Sequence, residues 1–403
     1  MEDKQFTLTN LENEFGIDRV QTAIAAVEKF KVEIPSWMFG KFGGGRFGDY
    51  MPPGYARNIF EKLDDAAFIK KITGAVDEIA THTLWDFSED GITGEYDIAV
   101  EVKNQAEKRG LSLGSINPTY FLKGSHTGSL SSYNDKVREN YIQQTILSGK
   151  IADELSNKLL SLWIPDGSNY PGQIELTQQI KNTVESLKVI SASVPKSVNV
   201  LIEYKVFEPG TYSTVLADWG SSYLMAKEYG PNAGVLIDMG HHHHSTNIEQ
   251  IVARLVVSGM PAGFHFNTRY AADDDHSVEP NPEMSRIFYE LVKGDVVFGK
   301  NKWAFMIDQC SSRENRIHAI LHSIDSLQIS LAKAMLVDQK KLIEYQKADE
   351  IILANRFFNE ALLNADVRPI VMAARLNNNL PLDPVNAYHE SGYQQKIEKE
   401  RYK

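Results

Sequence analysis

The sequence contains very little cysteine: Cys310 is the single example among 403 residues. One cysteine cannot form a disulfide within the chain, so a secreted fold held together by disulfides is excluded. The first ten residues, MEDKQFTLTN, contain neither a basic start nor an apolar stretch, and this predicts that no export signal is present. Together these features favour a cytoplasmic location.

The sequence also lacks long apolar runs and an excess of positive charge. No run of about 20 largely apolar residues occurs, and a helix needs roughly that length to cross a bilayer. The formal net charge is -11, with acidic and basic residues interspersed. Such a charge gives no electrostatic attraction to nucleic acid or to an anionic membrane. We therefore expect neither partner, and small neutral substrates remain open.

Short runs rich in β-formers alternate with longer segments of helical spacing, which is typical of βαβ units. The helical segments include residues 135–158, 173–191, 213–229 and 247–259, the last ending on a glycine. Eight such units within about 310 residues predict a (β/α)8 TIM barrel. The eight runs are KVEIPSWMF from Lys31, DEIATHTLW from Asp77, LSLGSIN from Leu111, LLSLWIPDG from Leu159, VNVLIEYK from Val198, AGVLIDMG from Ala233, AGFHFN from Ala262 and WAFMIDQ from Trp303.

The segments that flank the eight runs have a helical pattern. Residues 11–30 predict one helix before the first strand, and residues 314–376 carry apolar residues at helical spacing without a convincing strand. A polar tail, HESGYQQKIEKERYK, follows. We therefore predict a catalytic barrel with its amino-terminal helix over residues 1–310, and a carboxyl-terminal helical extension over residues 311–403 that serves in contacts between subunits.

Carboxylates and imidazoles stand at the ends of four successive predicted strands, where barrel enzymes place their catalytic groups. An ionised group buried in such an apolar run costs several kcal/mol unless an opposite charge compensates it. Oxygen and nitrogen ligands without a thiolate suit Mn²⁺, Co²⁺ or Mg²⁺ better than structural zinc. The pattern therefore predicts a divalent metal site formed by Glu203, Asp238, His265 and Asp308.

A second ion is predicted beside the first. His241 follows the sixth strand, and the acidic loop Asp273-Asp274-Asp275 follows the seventh. These residues supply ligands for the second ion, and Glu203 is the first choice for a carboxylate that bridges both.

Each of these features also has a simpler explanation. A single carboxylate at a strand end is often a helix cap, although four in succession are hard to explain that way. The acidic loop is also compatible with a solvated turn. The histidine run at residues 241–244 resembles an engineered tag, but it is internal and flanked by VLIDMG and STNIEQIVARL. Trp85 and Trp163 are compatible with core packing, and His82 alone is ambiguous.

The sequence resembles the L-rhamnose isomerases, particularly a bacterial branch with broad substrate tolerance that also interconverts D-allose and D-allulose. The resemblance extends over nearly the whole chain and includes the His-x-x-Trp-Asp pattern at residues 82–86. It is carried further by VEKFKVEIPSW, GGGRF, IFEKLDD, LWIPDGSNYPGQ, IEYKVFEP, TYSTVLADWG, IDMGHH, TNIEQIVARL, AGFHFN and MIDQ.

The resemblance implies a barrel of the xylose-isomerase type, a homotetramer, and two divalent ions that are usually manganese. By the same resemblance, Glu203, Asp238, His265 and Asp308 hold the structural ion. His241 and Asp273 hold the catalytic ion, with Asp275 close by. The implied substrate-binding residues are His82, Trp85, Trp163, Lys205, Asp275 and Phe47, the last of which reaches into a neighbouring subunit's site.

The sequence departs from the family in places. Tyr204 stands between Glu203 and Lys205, where family members often carry a histidine. The loop at residues 268–272 and the carboxyl-terminal helical region also differ. These departures leave the chemistry intact but put the preferred sugar in doubt.

The expected reaction is aldose–ketose isomerisation, most directly of L-rhamnose and L-rhamnulose, with D-allose and D-allulose as further substrates. Two polarising ions favour a hydride shift between C1 and C2, and an enediol route is the alternative. Asp308 is the predicted group for moving the proton between O1 and O2, Lys205 for stabilising charge on O1, and His82 for hydrogen bonding to the sugar. Two other activities also fit such a barrel: ketose 3-epimerisation and metal-dependent hydrolysis of the endonuclease type. The acidic charge disfavours the second.

Overall fold

The centre of the protein is a barrel of eight parallel strands. The computed structural model describes residues 2–40, 51–122, 124–208, 212–269, 276–310 and 314–401, without the side chains of residues 2–7. The barrel strands, in their order in the sheet, are β1 (Ile34–Pro35), β2 (Glu78–His82), β3 (Ser112–Asn117), β4 (Leu159–Trp163), β6 (Asn199–Glu203), β9 (Ala233–Asp238), β10 (Ala262–Phe266) and β11 (Ala304–Ile307). Three short strands, β5 (Gly167–Ser168), β7 (Phe207–Glu208) and β8 (Tyr212–Thr214), form a separate antiparallel sheet.

The first and last strands meet and close the barrel. The Glu33 N–H donates to the Phe305 carbonyl at 2.9 Å, and the Ile307 N–H donates to the Glu33 carbonyl at 3.0 Å. All other neighbouring strands in this sheet are also parallel. Each of the eight strands lies within one of the runs found in the sequence, so the predicted TIM barrel is confirmed.

Helices cover the outside of the barrel. Helix α9 is typical: the Asn247 side chain accepts a hydrogen bond from the Gln250 N–H at 2.8 Å, and Gly259 ends the helix with a φ of 65°. The helices are α1 (Glu2–Phe15), α2 (Ile17–Lys29), α3 (Ile59–Thr73), α4 (Thr83–Asp86), α5 (Tyr96–Lys108), α6 (Asp135–Leu155), α7 (Leu176–Ser193), α8 (Trp219–Tyr229), α9 (Ile248–Ser258), α10 (Pro282–Lys293), α11 (Arg316–Met335), α12 (Gln339–Lys347), α13 (Ile351–Asn359), α14 (Arg368–Asn377), α15 (Pro384–Glu390) and α16 (Tyr393–Arg401).

Among the described residues, no helix by itself has the length and apolar composition of a membrane span, whereas α11 and α12, bent by 58° where they meet, satisfy those two criteria as a pair.

Two predicted helices are corrected by the structure. The helix expected over residues 11–30 is broken at Gly16, whose φ of 90° is readily adopted only by glycine. The helix expected from residue 213 begins instead at Trp219, because the preceding residues pair into β8 and Asp218 caps the helix. Apolar spacing identified both helices, but it did not locate their starts.

The carboxyl-terminal region packs on the barrel helices. Helix α11 contacts α10 and α2, and one continuous core includes residues from Leu11 to Ile397. The polar tail at the end of the sequence contains α16. There the buried Arg401 donates to both carboxylate oxygens of Asp65, at 2.7 and 2.9 Å. This pair satisfies two charges that would otherwise be costly to bury. The boundary between barrel and extension at residue 310 stays a prediction. So does the role of the extension in contacts between subunits.

A titratable group, Glu33, lies inside the barrel. Its carboxyl oxygen Oε1 accepts hydrogen bonds from the Ser115 N–H at 2.6 Å and the Ser115 hydroxyl at 2.7 Å. It fits because residue 114 is glycine: a Cβ there would lie 2.4 Å from the Glu33 carboxyl carbon. Burial, together with repulsion from Glu78, raises the pKa of Glu33 to about 8. The side chain is therefore mostly an uncharged acid at neutral pH.

This raised pKa predicts how stability changes with pH. Between the unfolded pKa near 4.5 and the folded pKa near 8, the folded state keeps a proton that the unfolded state releases. The contribution of Glu33 to stability therefore falls as pH rises through that range, by roughly 1.4 kcal/mol for each pH unit. Glu33→Gln should lose less stability than the wild type between pH 5 and pH 8. Urea unfolding in chelator measures this, and equal losses in the two proteins would refute the assignment.

Candidate metal centre and sugar pocket

Four side chains converge at the carboxyl ends of neighbouring strands. The Nδ1 atom of His265 lies 3.3 Å from Oε1 of Glu203, 3.3 Å from Oδ2 of Asp308 and 3.8 Å from Oδ2 of Asp238. One ligand atom from each of the four residues lies within 4.8 Å of all the others. The carboxyl ends of parallel strands meet at one end of a barrel, and this brings together residues that are distant in sequence.

The arrangement fits a divalent ion. Ligand atoms on adjacent corners of an octahedron with bonds of about 2.1 Å lie about 3 Å apart, close to the separations from His265 Nδ1. That nitrogen is buried and has no hydrogen-bond partner among the described residues, although a buried nitrogen normally has one. Three carboxylates and one imidazole without sulfur match the preference of Mn²⁺, Mg²⁺ or Co²⁺.

Without an ion, the cluster retains protons. Burial, opposed by the attraction of His241 and aided by repulsion from Glu203 and Asp308, raises the pKa of Asp238 to about 7. Burial lowers the pKa of His265, but Glu203 and Asp308 outweigh burial and hold that pKa well above its usual value. Protons and a metal ion therefore compete for the same atoms, so metal affinity depends on pH.

His241 lies beside this cluster with a defined ring orientation. Its Nδ1 atom is 2.9 Å from the Tyr204 carbonyl and 3.2 Å from Oε1 of Glu203. A carbonyl oxygen only accepts, so Nδ1 carries the hydrogen and Nε2 keeps a lone pair suited to a metal. The other predicted ligands of the second ion, Asp273 and Asp275, lie outside the described residues, and the second ion stays a prediction.

Asn267 was not predicted from the sequence, and it orients the predicted ligand Asp238. Its Nδ2 atom donates to both carboxylate oxygens of Asp238, each at 3.0 Å. Partners of this kind fix the direction of a ligand's lone pairs. The residue ends the AGFHFN run, two positions after His265. That position was the available signal, but an amide at a strand end does not by itself indicate contact with a metal ligand.

A cavity of about 610 Å³ opens directly onto the cluster. Its lining includes Glu203, His241, His265 and Asp308 together with aromatic side chains and Lys205. A larger cavity of about 720 Å³ lies at the amino ends of the strands and contains none of the cluster. The first cavity is the candidate substrate site, because barrel enzymes use the carboxyl ends of their strands.

Aromatic rings line this cavity in a continuous series. Trp37 lies 5.2 Å from His82, His82 lies 4.2 Å from Trp85, Trp85 lies 5.4 Å from Phe121, and Phe121 lies 5.3 Å from Trp163, measured between ring centres. The predicted residues His82, Trp85 and Trp163 therefore line one wall of the cavity and do not occupy separate positions in the core. Trp37 and Phe121 were not predicted. Both follow barrel strands, so extending the search of strand ends to aromatics would have identified them.

Trp37 also contacts the metal cluster. Its indole N–H donates to Oδ1 of Asp308 at 3.1 Å, while Oδ2 of the same carboxylate is the atom 3.3 Å from His265. The two oxygens of Asp308 therefore have different partners. This contact fixes the carboxylate plane and leaves one oxygen directed to the cluster.

His82 is held as a neutral imidazole. Its Nδ1 atom lies 2.9 Å from the Thr119 hydroxyl, and burial lowers its pKa to about 4. The Asp86 carboxylate accepts a hydrogen bond from the backbone N–H of His82 at 2.9 Å. It also pairs with the buried Lys62 ammonium at 2.6 Å. These contacts tie the segment after β2 to Lys62 on α3. A neutral ring can donate or accept a hydrogen bond with a hydroxyl group.

Lys205 brings a positive charge to the same cavity. Its Nζ atom lies 5.6 Å from the centre of the Trp163 ring and 3.6 Å from Oε1 of Glu208. The predicted residues His82, Trp85, Trp163 and Lys205 thus share one cavity with the metal cluster. Phe47 lies outside the described residues, and its contact with a neighbouring subunit stays a prediction.

Two solved structures share the fold. An L-ribulose 3-epimerase superimposes with a TM-score of 0.51 and 10% identity, over 80% of this chain and 98% of that chain. A xylose isomerase-like TIM barrel protein from Mycobacterium smegmatis, in complex with magnesium, gives a TM-score of 0.50 and 12% identity, over 77% of this chain and 99% of that chain. At these identities the likeness concerns the fold alone.

Sequence comparisons are more specific. A probable sugar isomerase of Rhizobium meliloti (strain 1021) is 35% identical over 395 residues, which cover 96% of this chain and 89% of that protein. The L-rhamnose isomerase of Listeria monocytogenes serotype 4a (strain HCC23) is 28% identical over 254 residues, covering 59% of this chain and 58% of that protein. The model of the L-rhamnose isomerase (RhaA) family matches residues 82–361. The chain belongs to the L-rhamnose isomerase family and is a sugar isomerase.

Proposed function

We propose that this enzyme interconverts L-rhamnose and L-rhamnulose, with D-allose and D-allulose as further substrates. The observation that carries the proposal is the four-residue metal cluster opening onto a cavity walled by aromatic rings and Lys205. Polar ligands at one end and flat apolar walls at the other suit a sugar, which has hydroxyl groups and C–H faces. Membership of the L-rhamnose isomerase family supports the choice of sugar.

The proposal includes two divalent ions, with Mn²⁺ as the physiological metal. Glu203, Asp238, His265 and Asp308 hold one ion, and His241 with Asp273 and Asp275 holds the other. Divalent ions bound there supply Lewis acidity that polarises substrate oxygens. Assembly as a homotetramer and a cytoplasmic location complete the proposal. They are supported by family membership and, for the location, by the single cysteine.

The remaining steps belong to the chain's own side chains. Asp308, oriented by Trp37, moves the proton between O1 and O2. The Lys205 ammonium stabilises negative charge on O1. Neutral His82 forms a hydrogen bond with the sugar and keeps it in place. Trp85 and Trp163 pack on its C–H faces, where they exclude water from the reacting carbons.

A ketose 3-epimerase is the alternative that the shared fold suggests. Such an enzyme inverts C3 with an acid and a base on opposite faces of the sugar. Of the other carboxylates at this cavity, Asp166 accepts hydrogen bonds from the backbone N–H groups of Ser129 and Ser131, at 2.8 and 2.9 Å. Asp166 is therefore engaged in holding a loop, which disfavours a role as acid or base.

The identity of the product tests the proposal, and isotope content tests the route. With Mn²⁺ present, the enzyme should convert L-rhamnose to L-rhamnulose and D-allose to D-allulose. In heavy water the L-rhamnulose formed should carry essentially no deuterium at C1, because a hydride shift keeps the hydrogen within the sugar. NMR spectroscopy measures both results. Extensive deuterium at C1 would favour the enediol route, and D-allulose converted only to its C3 epimer would favour the epimerase.

A further inference from the structure

Tyr204 and His242 form a buried pair next to the metal cluster. Tyr204 follows Glu203 at the end of β6, and only 1% of its surface is exposed. Its hydroxyl oxygen lies 2.6 Å from Nε2 of His242, and the two rings meet edge to face at 5.2 Å. Tyr204 is absent from the lining of the sugar cavity. Its side chain therefore lies behind the cavity wall formed by the described residues.

The direction of this hydrogen bond follows from the second nitrogen of His242. Nδ1 lies 3.2 Å from the Met239 carbonyl, and a carbonyl oxygen only accepts. The hydrogen of the neutral ring is therefore on Nδ1, and Nε2 accepts from the Tyr204 hydroxyl. Each donor of the pair thus has an acceptor, and Nε2 has a donor. Buried polar groups are stable when they are hydrogen-bonded in this way.

The backbone of Tyr204 makes a second contact with the same segment. Its carbonyl accepts from Nδ1 of His241 at 2.9 Å. One residue at the end of β6 thus engages two consecutive histidines after β9, one through its carbonyl and the other through its hydroxyl. A shift of the segment after β9 relative to β6 would break both hydrogen bonds at once. Glu203 and Asp238, which end these two strands, flank the connection.

We infer that Tyr204 and His242 are positioning residues that hold His241 and Glu203 in ligand geometry and thereby set the affinity for the divalent ions. The inference rests on the proposed function, since it takes those two residues as ligands. Neither Tyr204 nor His242 belongs to the four-residue cluster or to the lining of the sugar cavity. Removing a residue that orients a metal ligand changes metal affinity by about 10- to 100-fold. The Tyr204 hydroxyl is the more informative group, because its removal leaves the ring and the backbone carbonyl in place.

The test is calorimetric titration of Mn²⁺ into metal-free protein. Tyr204→Phe should bind Mn²⁺ about 10- to 100-fold more weakly than the wild type. Tyr388→Phe is the matched control: Tyr388 is also 1% exposed, and its hydroxyl pairs with Gln394 on α16. The control should bind Mn²⁺ like the wild type, and thermal unfolding in chelator should show that each variant is folded.

Two results would overturn the inference: Tyr204→Phe binding Mn²⁺ within twofold of the wild type, or an equal loss of affinity in Tyr204→Phe and Tyr388→Phe. If Tyr204→Phe does not fold, His242→Gln removes the other ring and must give the same loss. Wild-type protein that binds no divalent ion would instead refute the proposed function, and with it the ligand roles on which the inference depends.

Discussion

Asp308→Asn is expected to lower kcat for L-rhamnose by about 100- to 10,000-fold, the range usual for loss of a proton-transfer group. Asparagine has nearly the same shape and keeps one oxygen that can contact an ion, but its amide cannot accept and return the proton. Sugar binding should therefore survive. Steady-state kinetics gives kcat, and calorimetry with L-rhamnose gives the binding constant.

Two companion measurements make the Asp308→Asn result specific. Elemental analysis should find that the variant still holds metal, so that lost turnover reflects proton transfer and not an empty site. Asp153→Asn, a change at an aspartate that pairs with Lys158 outside the sugar cavity, should leave turnover unchanged. If Asp308→Asn keeps near-wild-type turnover, the assignment of the proton to Asp308 is wrong.

His265→Ala should abolish isomerase activity by removing a metal ligand. The imidazole is the only non-carboxylate member of the four-residue cluster, and its Nδ1 atom lies 3.3 Å from both Glu203 and Asp308. Its loss leaves an ion with an incomplete ligand set. Bound metal should fall by about one ion per chain at Mn²⁺ concentrations that saturate the wild type, and activity should fall to the level seen in chelator.

A matched histidine separates loss of the ligand from a general effect of the substitution. His322 lies 3.1 Å from Glu279 and does not line the sugar cavity. His322→Ala should retain both metal and activity. A His265→Ala protein with the full wild-type metal content and turnover would contradict the proposed ligand set.

The barrel was predictable from the sequence because its signal is local. Each of the eight strands is a short apolar run of its own, and the residue types at the run ends already indicated a metal site. The helix starts were less predictable. The break at Gly16 interrupts a continuous apolar pattern, and the pairing of Tyr212–Thr214 into β8 depends on β5 and β7, which are too short to give a periodic signal.

Contacts between distant residues account for what the sequence did not indicate. Trp37 donates to Asp308 across 271 positions, and no local pattern pairs the two. Asn267 contacts Asp238, and His242 contacts Tyr204, through geometry that residue type does not encode. The polar composition of the tail gave no sign that it packs against the barrel. Arg401 there instead meets the buried Asp65, 336 positions away, which makes a polar segment part of the packed structure.

We propose that metal held by the cluster at Glu203, Asp238, His265 and Asp308 supports isomerisation of L-rhamnose. The most direct measurement is L-rhamnulose formation by NMR before chelation, after exhaustive chelation verified by elemental analysis, and after Mn²⁺ is returned. The expected result is conversion at the start, none in the metal-free protein, and recovery with Mn²⁺. Full isomerase activity in protein verified to be free of metal would contradict the metal-dependent reaction.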